Sequence, residues 1–136
     1  MRYRSPDMAG IPTESEEQQA LFRWAAYETC VMPELALLYH VPNEGQRTRA
    51  NGGRMKAEGL KAGVPDICLP VARGGFHSLY IELKRIKGGK LSDAQADWLE
   101  RLAKEGHYCT ICKGWNAAKQ TITEYLSGKL SRETTP

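Results

Sequence analysis

The chain has no apolar run approaching the ~20 residues that a membrane-spanning helix requires, so no membrane partner is expected. Its N-terminus, MRYRSPDMAGIPTES, lacks the apolar stretch of a secretory signal, which predicts a cytoplasmic protein. Internal repeats and low-complexity blocks are missing as well, which excludes solenoid and fibrous architectures. Cysteine is sparse: Cys30, Cys68, Cys109 and Cys112, with reduced thiols expected in that compartment. Cys109 and Cys112 form a lone C-x-x-C, but no second such pair and no His pair completes a zinc site, so buried strand cysteines are the simpler reading. Nor is there a strong excess of one charge, since the formal net charge is only +3.

What is present fits one domain. With 136 residues, 41% of them hydrophobic, the chain can build one core and little more. Residues 1–12 carry two prolines and no periodic pattern, and read as a flexible arm; residues 13–126 form the domain, and the polar 127–136 tail is expected to fray. Thr13 with Glu16 three residues later is a capping-box signature, and Leu21, Phe22, Trp24 and Ala25 give the helix that follows an apolar face. Pro33 stops anything running past Val31. A short first strand is expected over Leu37–Val41. Residues 43–63, NEGQRTRANGGRMKAEGLKAG, form a long glycine-rich, basic connection with room for one helical turn around Arg54–Leu60.

Strands two and three are predicted over Asp66–Val71 and Ser78–Ile86, joined by a turn at ARGGFH. In the third, side-chain alternation puts Leu79, Ile81 and Leu83 on one face and Tyr80, Glu82 and Lys84 on the other. Ser92, with Gln95 as capping-box partner, starts a helix carrying Trp98, Leu99 and Leu102 on one face and ending at Gly106. A fourth strand over His107–Cys112 and a last helix over Asn116–Leu126 complete the order α-β-β-β-α-β-α. This is an α/β fold, a mixed sheet flanked by helices.

Charge is grouped. Arg47, Arg49, Arg54, Lys56 and Lys61 face a single acid, Glu58, and Lys84, Arg85, Lys87 and Lys90 form a second group. Such stripes suit a phosphate backbone, although a charge run is commonly just solvated surface. Hydrolysis of a phosphodiester needs a hard cation, carboxylates to hold it and a positive group beside the nucleophile. Asp66 opens the second strand and Glu82 lies within the third, so a hairpin can bring the two carboxylates together. Glu82 and Lys84 are two apart on one strand and share its face, while the backbone carbonyl of Leu83 can add an oxygen ligand. Taken singly, a Glu-x-Lys on a strand is usually solvated charge and an Asp after Pro is ordinary turn chemistry. Their conjunction is what points to a site.

GVPDICL (63–69) and YIELKR (80–85), with sixteen residues from Asp66 to Glu82, resemble the PD-(D/E)XK nuclease superfamily. More narrowly they are similar to its VRR-NUC branch, of the stand-alone phage and bacterial type. The likeness extends to Glu14 with Gln18, to Asn43, and to Leu91-Ser92 with Gln95, over roughly residues 13–126. The resemblance implies a restriction-endonuclease-like αβββαβ core and a Mg²⁺- or Mn²⁺-dependent endonuclease acting on DNA, with branched structures such as Holliday junctions as substrates. It implies the cytoplasm of a bacterium or of a phage-infected host, no organic cofactor, and Asp66, Glu82, Lys84 and Gln95 as catalytic residues. Asp66, Glu82 and the Leu83 carbonyl would ligate metal, Lys84 would position or activate the attacking water, and Gln95 would support the site. A first-helix glutamate would complete the acidic cluster. From the residues alone Glu16 is claimed by the capping box and both Glu14 and Glu17 remain; the family's Glu-x-x-x-Gln spacing favours Glu14, reaching the metal through a water. Gln95 has a purely structural reading too, as the capping partner of Ser92.

Junction cutting calls for two symmetric incisions, hence a homodimer, and Phe22, Trp24, Trp98 and Trp115 are candidate spare apolar surface. Two other readings stand beside the nuclease: a non-catalytic nucleic-acid-binding module of the same fold, and a zinc or thiol-redox protein built on Cys109 and Cys112.

Overall fold

The structure, a computed structural model, describes residues 10–42 and 49–132, and of residues 49–51 the backbone alone. Asn43 and Arg47, most of the expected arm and the last four residues of the tail lie outside the described residues, as does the Arg49 side chain.

Helix α1 spans Glu14–Glu28 and begins as its capping box dictates. The Thr13 hydroxyl accepts from the Glu16 N–H at 3.1 Å, and the Glu16 carboxylate accepts from the Thr13 N–H at 2.9 Å. Pro33, with its fixed φ, then starts a short 3₁₀ turn over Pro33–Leu37. That turn consumes the front of the strand expected at Leu37–Val41, leaving β1 as Tyr39–His40. The Val41 N–H still donates to the Asp66 carbonyl at 2.7 Å, so chain pairing continues past the strand.

The glycine-rich connection is more helical than expected. Helix α2 covers Arg49–Ala57, nine residues rather than one turn at Arg54–Leu60. Arg49, Ala50, Arg54, Met55, Lys56 and Ala57 are good helix formers, and they outweigh Gly52 and Gly53. Gly59, at φ +109°, ends it, and the Leu60 N–H returns to the Met55 carbonyl.

Strand β2 (Ile67–Leu69) is shorter than Asp66–Val71 because Pro70 has no N–H to give the ladder. Strand β3 spans Leu79–Lys84, α3 Asp93–Lys104, β4 Tyr108–Lys113 and α4 Trp115–Leu126. The strands form one mixed sheet in the order β1-β2-β3-β4. The first two pairings are antiparallel, and β3 and β4 are parallel because α3 carries the chain back between them.

Side-chain parity on β3 then decides the layers. Leu79, Ile81 and Leu83 pack with Leu21 and Ala25 of α1 and Ala118, Ile122 and Tyr125 of α4. Each Leu or Ile fully buried there contributes roughly 1.5–3 kcal/mol. The Tyr125 hydroxyl finds a partner in the Val71 carbonyl at 2.6 Å. The opposite face of β3 is covered as well, by α3, whose Gln95 meets Glu82 and Lys84. Phe22, Trp24 and Trp115, expected as possible spare surface, pack against the core, and Trp98 is tied to the Ala62 carbonyl through its ring N–H at 3.0 Å.

Part of the tail packs rather than frays. Leu130 joins the edge of the core, and the Arg132 N–H donates to the Gly74 carbonyl at 3.0 Å. Gly74, at φ +60°, is required at this crossing, because the Leu130 carbonyl oxygen occupies the place of a Cβ. Among the described residues no helix is long and apolar enough to cross a membrane.

Candidate active site

Register sets the centre. Ile67 pairs with Ile81 in the antiparallel β2–β3 ladder, so one step further Asp66 stands opposite Glu82. Directly opposed residues in such a pair have Cβ atoms about 5 Å apart, close enough for two carboxylates to share one ion. Asp66 is held from the backbone: its Oδ2 accepts from the Leu83 N–H at 2.9 Å. In an antiparallel ladder the N–H and C=O of one residue point to the same side, so the Leu83 carbonyl is turned toward Asp66 as well.

Glu82 is 1% exposed and Lys84 7%. The solvated Glu-x-Lys strand face is therefore not what this chain builds; α3 has closed over it. Burial is the main reason that the Glu82 carboxyl is pushed up to about 8, with the Asp66 charge adding to it and Lys84 opposing it. One oxygen, Oε1, accepts from Gln95 Nε2 at 2.9 Å. The other, Oε2, is buried with no hydrogen-bond partner. A buried carboxylate oxygen left bare beside a second carboxylate is costly in isolation. It is the arrangement that a hard cation relieves.

The Gln95 side chain both closes the capping box and contacts the charged pair on β3. Its Oε1 accepts from the Ser92 N–H at 2.9 Å, closing the capping box, and from Lys84 Nζ at 3.0 Å. Its Nε2 donates to Glu82. One amide thus fixes a helix start, a carboxylate and an ammonium group. Lys84 Nζ lies 3.7 Å from Glu82 Oε1 and 3.9 Å from Glu14 Oε1.

The two first-helix glutamates have different surroundings. Glu14 is half-exposed at the rim, beside Lys84. Glu17 is buried, and its Oε1 accepts from the Trp115 N–H at 3.1 Å, capping α4, which has no side-chain cap of its own from Gly114. No sequence signal foretold that contact, because its partners are 98 residues apart. Gln18 is half-buried.

Among the described residues no three His, Cys, Asp or Glu side chains cluster closely enough to hold a metal by themselves. Asp66 and Glu82 with the Leu83 carbonyl nevertheless fit Mg²⁺, which is commonly held by one or two carboxylates and completed by water and substrate phosphate. A zinc site at Cys109 and Cys112 has no such support. Three apart on β4, they face opposite sides of the sheet; Cys112 meets Thr121 of α4 at 3.6 Å, and burial pushes the Cys109 thiol up to about 11. All four cysteines are free.

Comparison with known proteins agrees with this architecture. No functionally curated protein matches the chain. A solved structure described as a VRR_NUC domain protein superposes with a TM-score of 0.70 at 27% identity, covering 86% of this chain and 90% of the other. The sequence profile of the VRR-NUC domain matches residues 12–116, from the residue before the α1 cap to the first turn of α4, with every site residue inside it. The chain belongs to the VRR-NUC domain family, a nuclease-like family, with which the PD-(D/E)XK superfamily assignment is consistent.

Proposed function

We propose that this protein is a divalent-cation-dependent deoxyribonuclease that hydrolyses phosphodiester bonds internally, with branched DNA such as Holliday junctions as its substrate class. The observation that carries the reading is the opposition of Asp66 and Glu82 across β2–β3, next to a buried Lys84 held by Gln95. Asp66, Glu82 and the Leu83 carbonyl would hold Mg²⁺ or Mn²⁺, with Glu14 reaching it through a water. Bound there, the ion supplies positive charge to the phosphoryl oxygens and lowers the pKa of water.

The chain's own groups do the rest. Lys84 Nζ, kept inward by Gln95 and Glu82, orients an attacking water in line with the leaving oxygen and stabilises charge gathering on the phosphoryl oxygens. Gln95 keeps both groups in one geometry. The Leu83 N–H fixes the Asp66 carboxylate, so the site is organised before substrate arrives. Burial under α3 limits bulk water around these charges, which strengthens each interaction.

The basic residues Arg54, Lys56 and Lys61, on and after α2, follow the DNA backbone and give affinity without reading sequence. A homodimer supplies two symmetric incisions most simply. The deciding experiment is a cleavage panel of linear, nicked, flap and four-way DNA with Mg²⁺, Mn²⁺ or EDTA. Metal-dependent cutting that prefers the four-way substrate is expected, and no cutting of any DNA with either metal would overturn the reading. Light scattering at micromolar concentration tests the dimer; a strict monomer would remove it.

A further inference from the structure

We propose that Lys113 binds the phosphodiester next to the scissile one and so acts as a positioning residue for the cut. The inference rests on the nuclease reading above and adds a contact on the far side of Lys84.

The geometry comes from the parallel ladder. Lys84 pairs in register with Lys113, and the Gly114 N–H donates to the Lys84 carbonyl at 2.8 Å, fixing the pairing at its end. Neighbouring strands run about 4.8 Å apart, so the two lysine stems start side by side. Alternation puts them on one face, since Cys112, between Lys113 and Ile111, is buried at 3% against α4.

Like charges directly opposite on adjacent strands destabilise a sheet. Lys84 is compensated inward by Gln95, Glu82 and Glu14. Lys113 is exposed on an edge strand, and among the described residues its side chain has no ion pair or hydrogen bond. A packed site that leaves a bare ammonium beside a buried one is arranged for an anion supplied from outside. The phosphate backbone is that anion: a strand with one phosphate at Asp66 and Glu82 passes Lys84 and presents the next phosphate toward β4. Lysine serves there as a point charge on a phosphate oxygen and carries no sequence preference.

The test is the salt dependence of binding of the full chain to a fluorescein-labelled DNA duplex in EDTA, between 50 and 200 mM salt. Each phosphate contact contributes about 0.9 to the slope of log K against log salt. Lys113→Gln is expected to make that slope shallower by about 0.9, so that it loses roughly three- to fourfold less affinity than wild type across the range. Lys113→Arg is expected to restore the wild-type slope, and the thermal midpoint of Lys113→Gln should hold or rise, because a like-charge contact has gone. Lys104→Gln, at the other end of α3, should leave the slope unchanged. A Lys113→Gln line parallel to wild type, or an equal change from Lys104→Gln, would overturn the role of Lys113 while leaving the nuclease reading intact. Wild-type protein that binds no DNA even at 50 mM salt would overturn both.

Discussion

Gln95 Nε2 stands 2.9 Å from Glu82 Oε1, joining the first turn of α3 to the middle of β3. The same amide accepts from Lys84 and from the Ser92 N–H, so one side chain couples helix capping to the geometry of the charged centre. Its two substitutions should therefore separate the functions. Gln95→Glu keeps an oxygen for Ser92 and Lys84 but places a charge against Glu82 and loses the donor. It is expected to stay folded and lose about 10–100-fold in kcat, the usual cost of disturbing a group that orients metal ligands. Gln95→Ala should lose a comparable rate and also about 1 kcal/mol of stability through the broken cap. Urea unfolding and steady-state cleavage together distinguish them, and full activity in Gln95→Glu would refute the coupling.

After burial, the Asp66 charge is the next cause that pushes the Glu82 carboxyl up to about 8 and so disfavours its ionisation in the metal-free protein. Asp66→Asn retains an oxygen for the Leu83 N–H and removes that charge. In EDTA this variant is expected to be more stable than wild type by about 0.5–2 kcal/mol, as substitutions that relieve strained sites commonly are. It should nonetheless cut no DNA and show no Mn²⁺ binding by calorimetry. A variant that loses stability yet keeps cutting contradicts the site.

The two first-helix glutamates should fail in different ways. Glu17→Ala deletes the cap on the Trp115 N–H and is expected to cost about 0.5–2 kcal/mol, with cleavage per folded molecule little changed. Glu14→Ala, at the exposed rim, should alter stability by less than about 0.5 kcal/mol while reducing metal-dependent cleavage. Thermal melts with active-site-normalised rates check both, and the opposite pattern would exchange their roles.

Acid should weaken the fold at His107. Burial, then the His77 charge, lowers its pKa below the ordinary imidazole value, with Glu105 opposing, and its Nδ1 meets the Ser78 hydroxyl at 2.6 Å. The unfolded chain thus takes up a proton at His107 before the folded one does, so this contribution to stability is present above the ordinary histidine pKa of about 6.5 and is lost as pH falls through it. Glu82 acts in the opposite sense in the metal-free protein: its raised pKa gives stability that is present below the ordinary carboxylate range and lost as pH rises toward 8. The difference between wild type and His107→Asn isolates the histidine. Denaturant midpoints at pH 7.5 and 5 are expected to converge for the pair as pH falls, and a constant gap would argue against the shifted imidazole.

Much of this protein is written locally in the chain. Thr13 with Glu16 and Ser92 with Gln95 each close a ring of hydrogen bonds over three residues, so both helix starts are readable without knowing what they pack against. The parity of Leu79 to Lys84 needs only the two-residue repeat of a strand, and it already set Glu82 and Lys84 on one face. Expectation and structure part at α2 and at the 3₁₀ turn that shortens β1, where local propensities are weak and tertiary context decides the extent of each element.

The tertiary structure alone decided three things. It turned Glu17 toward α4 and left Glu14 facing Lys84, because the Trp115 N–H becomes a neighbour only after the chain has crossed the sheet. It buried Glu82 and Lys84, because α3 must lie over that face for β4 to run parallel to β3. And it put Lys113 beside Lys84, a register that parallel strands take from packing rather than from any short-range signal. Hydrogen bonds spanning three residues can be read from a sequence; which distant charges share a low-dielectric pocket depends on how whole layers stack.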